Sequence, residues 1–444
     1  MIGLIRSVVA SAVVLSFAVL AFAGNPTTSG NKTAPEVGAK PAITNAFVPE
    51  SSVERLGDVG LRAHTHYVLR SPNGAKPAAM ANPDITQFEN PASMGCVYKV
   101  GPAYAGCLPA TGGSRHPVGG FGAIALVDAY DNPNAAYSLS YFSSYWGLPA
   151  ASFSQIYCTT KAANGGCYTS NTPPAANSGW GLEEALDIEW AHAMAPSAAI
   201  YLVEAASNSF DDLTYAERWA GYYVSAAGGG AVSNSWGGGE FSTEGNYESN
   251  FYTYYANTMY FASSGDSGAG AQYPAASPWV VAAGGTTVNR KSNGYFSSET
   301  CWSGSGGGPS AYLNSQGYQF VLTAGGKRDI PDFSFNADPN SGVWVYDYYN
   351  GGWYTVGGTS VSSPALAGIV NLSGNRLGQG TYFGSVGTGY LQNQEDYLIY
   401  SQMPTALAYK KNFYDVTSGS NGYSATALYD FCTGVGTPRG KLGK

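Results

Sequence analysis

The chain has 444 residues, 44% of them apolar, with 11% charged and a formal net charge of −8. That apolar share supports a sizeable core and excludes a disordered chain. Its 21 Lys and Arg residues leave no basic face for a nucleic-acid partner. The length allows one large α/β domain with additions, or two to three modest domains. A chain with few carboxylates also loses less stability when they protonate, which suits work in acid.

Residues 1–23 read as a secretory signal peptide. Arg6 is the one cation, an apolar run covers 8–22, and Ala21-Phe22-Ala23 gives the small-x-small cleavage pattern. The run is short for a membrane span. The reading predicts a secreted product, extracellular or periplasmic, with no stable membrane anchor after signal cleavage. All six cysteines follow this segment, and their even number favours disulfides in an oxidising compartment. Cys96 with Cys107 and Cys158 with Cys167 are close enough to close small loops, which leaves Cys301 with Cys432; other pairings remain open. No CxxC spacing occurs and the histidines number 4, so zinc is disfavoured.

Residues 24–80 are rich in Pro, Ala, Asn and Thr and lack a long periodic apolar pattern, as in a linker or short prosegment; the main domain is expected over 81–444. Within the first stretch, His64 and His66 flank Thr65 in a strand-like piece over 65–69. The pattern changes near Gly119. The apolar run 122–127 has the character of a buried parallel strand, and 199–203, 231–235 and 280–283 are further candidates. Helical patterns cover 182–194 and 210–226. The alternation predicts an α/β fold, a parallel sheet with helices on both faces.

Three segments carry candidate chemistry. Val-Gly-Gly-Thr-Ser-Val-Ser-Ser-Pro at 356–364 places Ser360 in a turn before a small-residue helix beginning near Pro364. Backbone amides and the helix dipole there favour a developing oxyanion, although a Ser/Thr-rich helix cap has the same composition. A serine nucleophile needs a base. His116 stands in a Gly/Pro loop and His192 on a helical pattern. A carboxylate can serve instead where the medium is acid. Glu183 and Asp187 are spaced four apart, on one helix face, so their charges repel and one pKa rises. Glu184 and Glu189 are rival acids on other faces, and a solvated acidic face would show the same spacing. Gly-Asp-Ser-Gly at 265–268 follows an apolar strand, which puts Asp266 at a strand's carboxyl end; an ordinary turn aspartate is the alternative.

The ordered set resembles the sedolisin family, the serine-carboxyl peptidases. That family has a subtilisin-like fold and places a Glu-x-x-x-Asp helix, a Gly-Asp-Ser-Gly turn and a Gly-Thr-Ser turn in this order. The match covers roughly residues 119–440. The resemblance implies Ser360 as nucleophile, Glu183 as its general base, Asp187 orienting Glu183, and a protonated Asp266 donating to the oxyanion in acid. Neither His116 nor His192 stands in the Gly-His-Gly-Thr-His context of a subtilisin. The segment 232–238, with Ser233, Ser235, Trp236 and Gly237, looks like the family's strand that pairs with substrate backbone. Asp128, ending the 124–128 run, resembles an acid beside the centre. Asp415, the Val416 carbonyl and Asp430 resemble the family's calcium ligands, though Thr-Ala-Leu-Tyr at 426–429 replaces the usual glycines. The family's long folded prodomain has a much shorter counterpart here.

The function implied is a secreted acid endopeptidase, expected as a monomer, acting on protein or peptide substrates. A catalytically silent relative that binds peptides or surfaces is the alternative, for which the Tyr- and Gly-rich 346–353 would serve. Retention of all four catalytic positions argues against it. An α/β-hydrolase esterase would need a Gly-x-Ser-x-Gly elbow and a late histidine, and none follows His192.

Overall fold

The computed structural model describes residues 43–161, 167–252, 257–319, 326–374, 394–403 and 406–444. The signal segment expected at 1–23, and residues 24–42 after it, lie outside the described residues. Among the described residues no helix is long and apolar enough to cross a membrane.

Continuous apolar runs become the central sheet. Its strands are β1 (Ala123–Ala129), β2 (Ser152–Lys161), β3 (Cys167–Ser170), β4 (Ala199–Ala205), β5 (Gly230–Asn234), β6 (Thr258–Ser263), β7 (Val280–Arg290), β8 (Phe296–Cys301) and β9 (Phe333–Asn336). They run in the order β8-β7-β6-β5-β1-β4-β2-β3, with β9 also beside β7. All pairs are parallel except β7 with β8 and β2 with β3. Every residue of β1 is buried because both faces are covered. Ile124 and Leu126 pack in one core with Leu186, Ile188, Val361 and Leu366. Ala125 and Val127 pack in the other with Leu213, Ala216 and Val224.

The helices beside it are α1 (Ala135–Trp146), α2 (Ser178–Met194), α3 (Phe210–Ala226) and α4 (Thr359–Ser373). The first core takes α2 and α4, and the second takes α3. The expected α/β sheet with helices on both faces is therefore the observed one. Helix α2 has no exposed face between Trp180 and Met194, all of which are buried, and it is capped by the Asn177 side chain, which accepts from the Gly179 and Trp180 amides at 2.9 and 3.1 Å.

The serine-bearing helix starts earlier than its proline suggested. Pro364 lies inside α4, which begins at Thr359. A proline lacks the N–H that would bond the carbonyl four residues back, here that of Ser360. The Ser235 hydroxyl approaches that carbonyl at 3.3 Å instead.

A second sheet feeds the site. It orders Ala46–Phe47, Val68–Arg70, Gly352–Gly357 and Val343–Asp347. Leu69 pairs with Val356 and Val68 with Gly357, one residue before the turn into α4. Met80 N–H donates to the Trp353 carbonyl at 2.8 Å. The strand-like piece expected at 65–69 is two strands, His64–Thr65 and Val68–Arg70, in different sheets, with His66 and Tyr67 between them. The disulfides are Cys96–Cys107, Cys158–Cys167 and Cys301–Cys432, the pairing expected from spacing.

Candidate active site

Ser360 is the second residue of α4, after Gly358 at φ 104°. A side chain at 358 would put its Cβ 2.5 Å from Asp266 Oδ2 and 2.2 Å from the His66 carbonyl oxygen. Glycine is required there by both the positive φ and the close approach. The Ser360 hydroxyl donates to Glu183 Oε2 at 2.9 Å. The sequence reading paired these residues across 177 positions, and the contact of α2 with α4 brings them together.

Asp187 lies one turn below Glu183, and its Oδ1 accepts from the Ser235 hydroxyl at 2.6 Å. Glu183 Oε1 and Asp187 Oδ2 lack hydrogen-bond partners among the described residues. Burial pushes the Glu183 carboxyl well above the usual range; the charges of Asp187 and Asp128 push it further, and the Ser360 hydroxyl opposes them. Burial and then Asp128 raise Asp187. Burial brings Asp128 up to about 8, and neither of its oxygens has a hydrogen-bond partner among the described residues. Three buried carboxyls in one another's field cannot all ionise, so they share protons.

Asp266 follows β6. Its Oδ1 accepts from the Thr359 amide at 2.7 Å and the Thr359 hydroxyl at 2.9 Å. Its Oδ2 is buried without a partner among the described residues, and burial raises the carboxyl to about 8. A neutral Asp266 can donate from Oδ2 toward the spot the Ser360 amide also faces.

The rival acids lie elsewhere. Glu184 is buried beside Glu204 and Asp128, and Glu189 accepts the Tyr346 amide at 3.0 Å. His116 lies between the carbonyls of Pro117 and Gly147, at 2.7 and 2.9 Å. His192 reaches the Pro149 carbonyl at 2.9 Å. Sequence reasoning missed Glu204 and Glu217, which extend the buried acids past Asp128. Glu204 follows the apolar run of β4, a signal comparable to that of Asp128 after 124–127.

The four expected groove residues separate. Trp236 and Gly237 form the strand Trp236–Gly239 beside Ser360. The Ser235 carbonyl faces the same channel, accepting the His66 amide at 3.2 Å. Ser233 does not line the groove: its hydroxyl lies deeper in β5, buried against Ser363 of α4 at 2.8 Å.

Asp415 and Asp430 meet at one loop. Asp415 accepts the Leu428 amide at 3.1 and 3.3 Å. Asp430 accepts the amides of Thr426, Cys432 and Thr433 at 3.0, 2.8 and 2.8 Å. Calcium needs several oxygens turned toward it; here amide N–H groups face both carboxylates. No cluster of three or more His, Cys, Asp or Glu side chains suited to a metal occurs among the described residues. The arrangement at Asp415, Val416 and Asp430 does not fit calcium as it stands.

No family model matches the chain. Sedolisin from Pseudomonas sp. (strain 101) is 31% identical over 214 residues, covering 44% of this chain and 32% of that protein. Kumamolisin from Bacillus sp. (strain MN-32) is 31% identical over 309 residues, covering 61% of this chain and 51% of that protein. The solved structure of Pseudomonas sedolisin, a serine-carboxyl proteinase complexed with two molecules of pseudo-iodotyrostatin, matches with a TM-score of 0.60 at 24% identity, over 80% of this chain and 96% of that one.

The chain is similar to these sedolisins in sequence and shares the fold of the solved one. The match spans about a third to a half of the length of those two curated relatives. The solved sedolisin establishes the fold. In this chain, the three motifs from distant parts of the sequence converge around one hydroxyl.

Proposed function

We propose that the protein is a secreted, monomeric serine-carboxyl endopeptidase that hydrolyses protein or peptide substrates in acid. The observation that carries this reading is the contact of Ser360 Oγ with Glu183 Oε2 at 2.9 Å, at the foot of a helix whose Ser360 amide points into the groove. Ser360 attacks the substrate carbonyl while Glu183 takes its proton. For that, the Glu183–Asp187 pair must hold one charge, with Asp187 positioned by Ser235. The oxyanion is met by the Ser360 amide and by protonated Asp266. Glu183 returns the proton to the leaving amine, and water, activated by Glu183, hydrolyses the acyl-enzyme. In acid the pair is partly protonated and Asp266, which burial raises to about 8, is neutral.

The test is digestion of a denatured protein from about pH 3 to pH 7 by the purified protein and its Ser360→Ala variant. Acid-side digestion lost in the variant supports the reading. Digestion that survives the substitution removes Ser360 from it. A folded protein inactive throughout, with the groove shown empty, turns the reading toward a silent peptide-binding relative.

A further inference from the structure

Behind the Glu183–Asp187 pair, one rung of the central sheet is acidic. Asp128 of β1 is in register with Glu204 of β4, and Glu204 with Tyr157 of β2. Residues opposite one another on neighbouring strands share a face. Here it is the face that packs, through Ile124, Leu126, Ile200 and Leu202, on α2 and α4. From α2, Glu184 meets Glu204, while Glu183 and Asp187 lie in the field of Asp128.

The row has a wet end. Glu183, Glu184, Asp187, Asp128 and Glu204 are fully buried, whereas Asp131, just beyond β1, keeps 6% of its surface, and Gln155 and Tyr157 are half-buried. The Gln155 amide nitrogen approaches Glu204 Oε1 at 2.5 Å, Asp131 Oδ1 at 3.2 Å and the Asn132 carbonyl at 3.2 Å. An amide has only two hydrogens to give to these acceptors. Glu204 Oε2 and both oxygens of Glu184 have no N–H or O–H partner among the described residues. Yet the Glu204 carboxyl meets Asp131 on one side and Glu184 on the other. Acids that touch with no other donor between them are joined by a proton of their own, because they cannot all ionise together.

Burial and then Glu204 raise Glu184; burial and then Asp131 raise Glu204, to about 9. Burial raises Asp131 as well, but its contact with water lets it ionise first. The other titratable groups facing the row are Tyr157, Asp347 behind the Asn132 side chain, Asp266 beyond Glu183, and Glu217 of α3 on the opposite face. Each of these is neutral or negative.

We propose that Glu184, Glu204 and Asp131 are one proton-sharing unit whose negative charge, acting across Asp128, sets the pH at which the Glu183–Asp187 pair gains its single charge. The inference rests on the serine-carboxyl reading above and adds three positioning residues to it. As pH rises from acid, one proton leaves Asp131 for water. The proton between Glu204 and Asp131 then shifts toward Asp131, and the one between Glu184 and Glu204 toward Glu204, so the charge spreads inward. It disfavours a further charge on Glu183 or Asp187. The pair therefore keeps both protons to a higher pH than it would alone, and the acid limb of activity, where the first of them is lost, moves up.

The test is the pH profile of kcat/KM for a denatured, dye-labelled protein, with the purified parent, Asp131→Asn, Glu204→Gln and the double variant. Each substitution replaces an acid by an amide of the same shape. Asp131→Asn should move the acid limb down by about 0.5 unit or more. Glu204→Gln, which confines the charge to Asp131, should move it the same way by less. Adding Glu204→Gln to Asp131→Asn should move it no further, because the unit is then already neutral. A merely structural role would lower the thermal midpoint and leave the limb in place. An unmoved limb in folded Asp131→Asn overturns the inference, even if Glu204→Gln does not fold, and leaves the peptidase reading standing. Single shifts that simply add in the double variant overturn the shared unit in the same way. A folded parent that digests nothing in acid overturns both.

Discussion

Two sets of carboxylates differ in how their oxygens are used. In the loop that closes the C-terminal part, Asp430 takes the amides of Thr426, Cys432 and Thr433, and Asp415 takes that of Leu428. Around Ser360, Asp128 has both oxygens without hydrogen-bond partners among the described residues, and Glu183, Asp187 and Asp266 have one each. A buried polar group left unsatisfied costs about 1–3 kcal/mol. The loop acids have been spent on structure, since each oxygen orders a piece of backbone. The site acids carry a standing cost that protonation relieves. The difference separates carboxylates that hold the fold from carboxylates that move protons.

The sharpest way to break this comparison is to remove a proton acceptor without changing its shape. Glu183→Gln should lower acid digestion by about 10⁴-fold or more, on the scale of losing a triad member. It should leave the thermal midpoint at pH 7 unchanged or higher, because a desolvated acid has been replaced by a neutral amide. Activity is read from digestion and stability from a calorimetric scan. A variant that loses both together would place Glu183 among the structural acids.

Asp266 should give the next largest effect. Asp266→Ala removes one oxyanion donor and should cost about 10²–10³ in kcat. Asp266→Asn keeps a donor at every pH, so it should retain more activity and lose the alkaline fall that ionisation of Asp266 causes. Burial raises that carboxyl to about 8, against the hydrogen bonds of Thr359, so the fall should come near there. An Asp266→Asn profile with the parent's alkaline limb would assign that limb to another group.

Much of this site was legible because its parts are short motifs on regular elements. Glu183 and Asp187 were candidates by helical spacing, and Ser360 and Asp266 by glycine-flanked turns after apolar strands; the resemblance in their order chose among the alternatives. Helix Phe210–Ala226 agreed at both ends, its apolar face facing the sheet. Two kinds of information were not readable. One was what a side chain meets: Ser233 and Ser235 look alike in sequence, yet the Ser233 hydroxyl packs on Ser363 of α4 and the Ser235 hydroxyl donates to Asp187. The other was what long-range pairing does to a weakly patterned segment. His64-Thr65-His66-Tyr67 has little periodicity of its own, and its path is set by partners at 235–237 and 356–360. The early start of α4 was hidden for a related reason: Pro364 reads as a helix opening until Ser235 is seen beside the freed carbonyl.

The buried acids should also tilt stability across pH. Burial raises Asp128, Asp266 and Glu244 to about 8, Glu204 to about 9 and Glu248 to about 7. A carboxyl whose folded pKa is raised contributes stability that is complete below its unfolded value near 4 and is lost as pH climbs through the folded value. His66 opposes this. Burial, then the charge of His64, lowers it to about 3, against the hydrogen bonds of Ser263 and Gln272, so its contribution grows from there to about 6.5. The five carboxyls outnumber it. The thermal midpoint should be higher near pH 4.5 than near pH 8, by about 5 °C or more, read by calorimetry. A higher midpoint at pH 8 would show that these acids ionise freely in the folded state.

The smallest effect belongs to the loop. Asp430→Asn keeps the shape but halves the acceptors for three amides, so it should lower the midpoint by about 2–4 °C. Activity below the transition should be unchanged, since none of the groups around Ser360 bonds to Asp430. Chelation of divalent cations should leave the parent's midpoint where it is, because the amides at Thr426, Leu428, Cys432 and Thr433 already satisfy both carboxylates. A chelator that lowers the midpoint as much as the substitution does, with recovery on adding calcium, would mean that the loop turns carbonyls inward around an ion. The contrast between acids that hold the fold and acids that move protons would then rest on the Ser360 side alone.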